Sequence, residues 1–407
     1  MSLMRRFMLL LAMMIFSTAA AAQDFAALAR IDGATSHIRD TRSGVEISLR
    51  LSQIVPYRVY TLDAPRRLVV DFKEVAFGDL RGDDILRARK IREVALGAFR
   101  PGWSRMVAML ETPLALETAE ILQDPKGRFV DVRITLADVD DEVFLAQVGA
   151  PPDLAVWELS PVATDPQTPP PTDELVIAID PGHGGIDPGA TRDGVEEAQV
   201  MLALAREVAE AVNRSGAGLR AVLTRDSDRF VSLDERMTIA RAAGARALVS
   251  LHADALEGGG ASGASVYTLT EDAEDRAAER MAERHGRGDL LAGLDLTGQD
   301  DGVAVALMEL ARQETGPASD RLAETLVETF EDVNVRLSTR ARREAGLAVL
   351  RSPDFASVLL EVGFLSDDAD RAMLADADTR VPLVAAIVVA LRRWAEQEAT
   401  LAPLHRN

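Results

Sequence analysis

The hydrophobic pattern divides the chain into two parts, and in the first part apolar and polar residues alternate. Every second residue is aliphatic in residues 45–51, and a less regular alternation follows a turn signal in residues 129–136. Residues 68–72 and 106–110 are further short apolar runs. Alternation with a period of two is typical of strands that bury one face. We predict a small all-β sandwich domain over residues 24–145.

Proline marks the end of this domain. Seven of the 18 prolines lie between Pro151 and Pro171. Because proline lacks a backbone N–H and has a fixed φ, such a stretch favours an extended spacer over a helix or a sheet. We predict a linker over residues 146–173.

The second part of the chain changes to alternating strands and helices. Residues 175–179 form a continuous apolar run, as in a strand covered on both faces, and residues 197–213 carry aliphatic side chains at steps of four, as in a helix. We predict an α/β domain over residues 174–400, with a mixed, mostly parallel sheet flanked by helices. The other predicted strands are residues 221–224, 248–251, 265–269, 347–350 and 358–362, and the other predicted helices run from Ser232 to about Ala243 and over residues 381–398.

The beginning of the chain has the pattern of a secretory signal. Arg5 and Arg6 precede an apolar run over residues 7–16, and small residues follow up to Ala22. The run is shorter than the roughly 20 residues that span a bilayer. We predict a signal peptide over residues 1–22, cleavage near Ala22 and a periplasmic protein that is not integral to the membrane. The chain has no cysteine, so disulfides do not stabilise it.

The distribution of net charge along the chain restricts the kinds of ligand that the protein is expected to bind. The formal net charge of −20 lies almost wholly after residue 142. We expect no nucleic-acid ligand for this acidic half, because binding to phosphates requires clustered Lys and Arg. The arginine-rich, nearly neutral first part is better suited to an anionic polymer such as a cell wall.

Four polar residues fall where an open α/β sheet places its sites, at the carboxyl ends of the strands. His183 follows the first strand, His252 ends a later one, Glu361 lies inside the last apolar strand, and Glu197 opens the first helix. Considered singly, His183 is interpreted as a turn residue and His252 as a packed core residue. Glu197 alone is interpreted as a carboxylate that interacts with the dipole at the start of a helix. Glu361 is harder to dismiss, because a buried carboxylate must be paired, protonated or bound to a cation.

Taken together, the four residues predict a catalytic zinc site. Two imidazoles and a carboxylate are a common ligand set for catalytic zinc. A further glutamate then accepts a proton from water. His183, Glu197 and His252 fill the ligand roles and Glu361 fills the role of the base. Residue chemistry alone leaves Glu196 open as an alternative to Glu197.

The second part resembles the zinc-dependent N-acetylmuramoyl-L-alanine amidases of bacterial cell division. The resemblance implies that His183, Glu197 and His252 bind one Zn²⁺ per chain and that Glu361 is the catalytic glutamate. The family usually has a lysine after the ligand glutamate, and this chain has Ala198. The matching motifs are residues 179–190, 223–233, 235–236, 249–255 and 360–366.

Two further segments resemble parts of these amidases. The first domain is similar to the AMIN domain, which is associated with cell-wall binding. Residues 271–318 have helical stretches without a strand signal and are similar to the autoinhibitory insertion of division amidases, which an activator protein displaces. His285 stands where relatives place a blocking glutamate, with Glu279 and Glu283 as alternatives, or it is an exposed helix residue.

The expected activity is hydrolysis of the amide between N-acetylmuramic acid and L-alanine in peptidoglycan. We expect it to serve cell-wall remodelling and daughter-cell separation, with an activator protein of the LytM type. The alternatives are another zinc peptidase of peptidoglycan and a catalytically inactive protein that binds or regulates the wall.

Overall fold

The first region of the protein is built from β-strands and two short helices. The computed structural model describes residues 28–149, 174–270 and 302–401, apart from residues 74, 101, 124–127, 217, 257–259 and 353. The elements of the first region are β1 (Ala29–Arg30), β2 (His37–Thr41), β3 (Gly44–Leu51), β4 (Tyr57–Leu62), β5 (Arg67–Lys73), β6 (Val75–Ala76), α1 (Gly82–Ile85), β7 (Ile91–Arg100), β8 (Trp103–Leu110), β9 (Leu114–Gln123), β10 (Val130–Asp138) and α2 (Asp141–Gln147).

Two four-stranded antiparallel sheets face each other in this region. Their strand orders are β2-β3-β10-β9 and β4-β5-β8-β7. The alternating aliphatic residues of β3 and β10 are buried between the sheets, together with apolar residues of β5 and β8. The predicted all-β sandwich is therefore confirmed, and the period-two pattern arises because only one face of β3 enters the core.

The second region alternates strands and helices around one sheet. Its elements are β11 (Leu175–Pro181), β12 (Thr191–Arg192), β13 (Val195–Glu196), α3 (Glu197–Arg214), β14 (Leu219–Leu223), α4 (Leu233–Ala242), β15 (Ala247–His252), β16 (Ala264–Leu269), α5 (Gly302–Asp332), β17 (Leu337–Ala345), β18 (Ala356–Glu361), α6 (Asp368–Ala375) and α7 (Ala377–Leu401). A 3₁₀ turn, Ala348–Leu350, lies between β17 and β18.

The sheet has the order β14-β11-β15-β18-β16-β17. All neighbouring strands are parallel except β16 and β18, which are antiparallel. Helices α3, α5 and α7 contribute to the core on one face, and α4 with the 3₁₀ turn contributes to the core on the other. The predicted mixed, mostly parallel sheet is confirmed. Its central strands read as continuous apolar runs because both of their faces are covered.

Within the six-stranded sheet, one predicted strand is wrong and one observed strand was not predicted. Residues 347–350 form the 3₁₀ turn, and they are apolar because Leu347, Val349 and Leu350 pack into the core under the sheet. The missed strand β17 lies at the edge of the sheet and is rich in arginine. An edge strand with a solvated side lacks the apolar run that a buried strand shows.

Parts of the predicted organisation lie outside the described residues. These are the signal peptide, the linker from residue 150 onward and residues 271–301 of the insertion, which include His285, Glu279 and Glu283. The remainder of the predicted insertion belongs to the continuous helix α5. Within the described ranges, no helix is both long enough and apolar enough to cross a membrane.

Candidate metal centre

The loop after β11 brings His183 to the carboxyl edge of the sheet. His183 itself has φ 58°, a left-handed conformation that non-glycine residues seldom adopt. Two glycines make room for the imidazoles. A Cβ on Gly182 would lie 2.3 Å from Cε1 of His252, and one on Gly189 would lie 2.6 Å from Cδ2 of His183. The glycine-rich motif therefore allows close approach of the backbone to both histidines.

Three side chains from separate elements meet at this edge. Glu197 is the first residue of α3, and its Oε1 lies 3.2 Å from Nε2 of His183 and 3.0 Å from Nδ1 of His252. The two imidazole rings are nearly perpendicular, with centroids 4.9 Å apart. One potential ligand atom from each residue lies within 4.8 Å of the others. The three residues thus present their donor atoms to a common point.

Glu196 takes a different direction from its neighbour. Its carboxylate forms an ion pair with Arg81 and accepts a hydrogen bond from Gln199, 2.8 Å away. Glu197, by contrast, is almost fully buried. The geometry therefore places Glu197 and not Glu196 with the histidines.

Hydrogen bonds from surrounding groups orient His183 and Glu197. Nδ1 of His183 lies 2.8 Å from Oδ2 of Asp187, which leaves Nε2 directed at the common point. Glu197 accepts backbone hydrogen bonds at both oxygens, from Ala253 and from Ala190, each at 2.9 Å. A carboxylate behind a ligating histidine is the usual partner in metal sites, because it sets the tautomer and the ring orientation.

The three groups shift one another's protonation. Burial alone would raise the pKa of Glu197, but the imidazoles, His183 above all, hold it well below its usual value. Burial alone would lower the pKa of His183, but Asp187 and then Glu197 raise it well above its usual value. Burial lowers the pKa of His252. The centre therefore contains an ionised carboxylate and a neutral imidazole at neutral pH.

Glu361 lies beside this group at the end of β18. It is opposite His252 in the register of the parallel pair β15 and β18, and its side chain is fully buried. The backbone N–H of Asp254 donates to its Oε2 over 3.1 Å. Burial first, and then the carboxylates of Asp254 and Glu197, raise the pKa of Glu361 well above its usual value. Glu361 is thus a fully buried carboxyl group next to the candidate ligands, in surroundings that disfavour its charged form.

A buried polar network under the loop was not anticipated from the sequence. Asp180 accepts hydrogen bonds from Thr224, Ser250 and Arg236. Arg236 also donates to the carbonyl oxygen of His183 over 2.7 Å, and Arg225 donates to that of Gly182 over 2.7 Å. These arginines hold the backbone of the loop that carries His183. Their role was missed, as was that of Asp187, although all of them belong to the quoted motifs.

The donor set fits a divalent cation with N and O ligands. In a tetrahedral zinc site with bonds of about 2.0–2.1 Å, neighbouring ligand atoms are about 3.3 Å apart. The distances of 3.2 Å and 3.0 Å from Glu197 to the two imidazoles are close to this spacing. The residues present are therefore suited to hold zinc.

Comparisons with known proteins identify the family. Residues 177–393 match the family model described as N-acetylmuramoyl-L-alanine amidase, and residues 37–132 match the AMIN domain. The first match covers more than half of the chain and contains all four site residues. The chain belongs to the N-acetylmuramoyl-L-alanine amidase family.

Individual relatives carry the same description. The chain is 34% identical to the N-acetylmuramoyl-L-alanine amidase AmiA of Escherichia coli over 55% of its own length and 78% of that protein. It is 29% identical to the amidase AmiC of Neisseria meningitidis over 86% of both chains. A solved structure of the amidase AmiC2 of Nostoc punctiforme aligns with 27% identity and a TM-score of 0.39, over 55% of this chain and 97% of that one.

Proposed function

We propose that this protein is a zinc-dependent amidase that hydrolyses the bond between the lactyl group of N-acetylmuramic acid and L-alanine in peptidoglycan. The observation that carries the proposal is the convergence of His183, Glu197 and His252, with Glu361 adjacent to them. Membership of the amidase family supports the substrate. The biological role that follows is wall remodelling and separation of daughter cells.

The ligand roles follow from the atoms that face one another. Nε2 of His183, Nδ1 of His252 and a carboxylate oxygen of Glu197 would hold the ion. When bound, zinc supplies a Lewis acid for the amide carbonyl and lowers the pKa of water towards about 7. Asp187 keeps the proton of His183 on Nδ1, so that Nε2 presents its lone pair to the metal.

Glu361 is the proposed proton carrier. Burial and the neighbouring carboxylates raise its pKa, so its carboxylate is a stronger base than that of an ordinary glutamate. It takes a proton from the attacking water and delivers one to the amide nitrogen as the C–N bond breaks. The N–H of Asp254 holds one of its oxygens during both transfers.

The products test this proposal. Purified peptidoglycan treated with the protein should release stem peptides with a free amino-terminal L-alanine, detected by mass spectrometry. Cleavage inside the stem peptide would instead support another zinc peptidase. Absence of any cleavage by the zinc-loaded chain would support an inactive wall-binding protein.

Export and regulation complete the proposal. The family and the AMIN domain support a periplasmic or extracellular enzyme, and the signal pattern before Ala22 supports export to the periplasm.

We expect residues 271–318 to block the site, with His285 as the candidate zinc ligand, until an activator of the LytM type displaces them. Deletion of residues 271–318 should raise basal activity. A folded, zinc-binding deletion variant without higher activity would disprove the self-inhibition.

A further inference from the structure

The outer face of one AMIN sheet lies against the amidase domain. Phe99 of β7 shares an apolar cluster with Ile186 and Phe230, which belong to the loops around the metal centre. Ile186 is 1% exposed and Phe230 is 2% exposed. The other buried members of the cluster are Tyr60, Leu62, Val69, Val107 and Met109.

Backbone contacts join the same two surfaces. The N–H of Ile186 donates to the carbonyl oxygen of Ala98 over 3.1 Å. A Cβ on Gly97 would lie 2.7 Å from Cα of Ile186, and a Cβ on Gly185 would lie 2.3 Å from the oxygen of Ala98. A glycine on each side therefore permits a backbone-to-backbone approach that side chains would prevent.

An aromatic stack lies next to this backbone contact. The ring of Phe99 stacks on that of Phe230, with centroids 5.7 Å apart and planes at 25°. The guanidinium of Arg105 lies 3.5 Å from the ring centroid of Phe99. Asp71 holds that guanidinium in place through two hydrogen bonds, of 2.5 Å and 3.0 Å. The AMIN sheet thus presents Phe99 in a fixed orientation to the amidase domain.

The contacts flank two of the three ligand residues. Gly185 and Ile186 follow His183 within the same loop, and the ion pair between Arg81 and Glu196 adjoins Glu197. Because a displacement of about 1 Å is enough to impair a preorganised site, a surface that fixes both flanks controls the centre between them.

We propose that the AMIN domain docks on the amidase domain through this surface and positions the loop of His183 and the start of α3 for metal binding. In this role Gly97, Phe99 and Arg81 are positioning residues of the metal centre. The positioning part rests on the proposed zinc site, whereas the docking part does not. The competing description is of two domains that act independently on either side of a linker.

Docking is testable by cross-linking, because the chain has no cysteine of its own. The full chain with Arg81→Cys and Glu196→Cys, treated with a short bis-maleimide, should form an intramolecular cross-link. Adding Gly97→Val, which places atoms against the backbone of Ile186, should reduce the cross-link yield about tenfold. The control Ala119→Val adds the same side-chain type at an exposed position of β9 in the other sheet and should leave the yield unchanged.

Positioning is tested by zinc affinity in the cysteine-free chain, measured by competition with a chelating dye. Gly97→Val should weaken zinc binding about tenfold, the range seen when partners of metal ligands are removed. Phe99→Ala, which adds no atoms, should act in the same direction, and Ala119→Val should have no effect.

Each outcome decides part of the proposal. Absence of a cross-link in the chain with Arg81→Cys and Glu196→Cys overturns docking. Loss of the cross-link with unchanged zinc affinity overturns positioning. If the double-cysteine chain cross-links but the cysteine-free parent binds no zinc, the proposed function and the positioning are overturned together, while docking stands.

Discussion

Two clusters of buried charged side chains, one in each domain, are built in opposite ways. In the AMIN domain, Asp71 is 1% exposed and accepts hydrogen bonds from Arg58 and from Arg105. Its negative charge is met by guanidinium groups on neighbouring strands of one sheet. In the amidase domain, Glu197 and Glu361 lie beside two imidazoles that arrive from different loops and strands.

The comparison teaches how to distinguish a buried ion pair from a buried site. A carboxylate whose oxygens accept hydrogen bonds from guanidinium groups has a structural role, because the two opposite charges neutralise each other within the fold. Donor atoms that converge on one point, at the spacing of ligands around a metal ion, are instead suited to bind a cation. Burial raises the pKa of Glu361, and the nearby carboxylates of Asp254 and Glu197 raise it further. A bound cation would offset the repulsion among these carboxylates.

The largest expected effect that separates the clusters concerns Glu361. Glu361→Gln removes the proposed proton acceptor and retains the shape of the side chain, so kcat should fall by about 10²- to 10⁴-fold while zinc content is unchanged. Dye release from labelled sacculi measures the activity. Full turnover by this variant would rule out the assigned base.

The next largest effect is expected for Asp71, which pairs with Arg58 and Arg105 in the AMIN domain. Asp71→Ala leaves the buried guanidinium of Arg105 and the partly buried one of Arg58 without their carboxylate, and should destabilise the fold by about 3–5 kcal/mol. Saturating zinc should still bind at one ion per chain. Urea denaturation measures the loss, and the matched control is Asp131→Ala, whose ion pair with Arg50 is partly exposed and should contribute about 1 kcal/mol or less. Equal destabilisation by both variants would contradict a structural role that depends on burial.

A smaller effect is expected for the carboxylate behind His183. Asp187→Asn keeps the size of the side chain but weakens the hold on Nδ1, so zinc affinity should fall by about 10- to 100-fold. The control is Asp193→Asn, an exposed aspartate that pairs with Arg371. Identical zinc affinities for the two variants would show that Asp187 does not orient the ligand.

The smallest effect is a pH dependence. Because Asp187 and Glu197 raise the pKa of His183 despite its burial, the metal-free chain holds a proton that zinc must displace. Zinc affinity should therefore fall as pH falls through this raised pKa. In the metal-free chain the same shift contributes stability that is complete below pH of about 6.5 and is lost as pH rises through the folded-state pKa. Calorimetry at pH 7 in two buffers of different ionisation heat measures the released proton, and equal heats would contradict the shift.

Much of the fold and the site was predictable because each follows from a local pattern. Alternation identified β3, and continuous apolar runs identified β11, β15 and β18. His183, His252 and Glu361 were predictable because each follows, ends or interrupts an apolar strand, and parallel strands share one edge.

What escaped prediction depends on three-dimensional context. Residue chemistry alone did not separate Glu196 from Glu197, and only the family resemblance selected Glu197; in the structure the turn into α3 directs Glu196 to Arg81 and Glu197 to the histidines. Edge strand β17 carries arginines that conceal its strand character. The contact of Gly97 with Ile186 joins residues far apart in sequence, and two glycines carry no periodic signal.

Zinc content is the most direct test of the central claim that separate elements build one metal centre. Elemental analysis of the purified full-length chain should find one zinc per molecule. The His183→Ala variant should lose this zinc, and His37→Ala, which changes a partly exposed histidine of the AMIN domain, should keep it. A His183→Ala variant that retains as much zinc as the parent, or a parent without zinc, would contradict the claim.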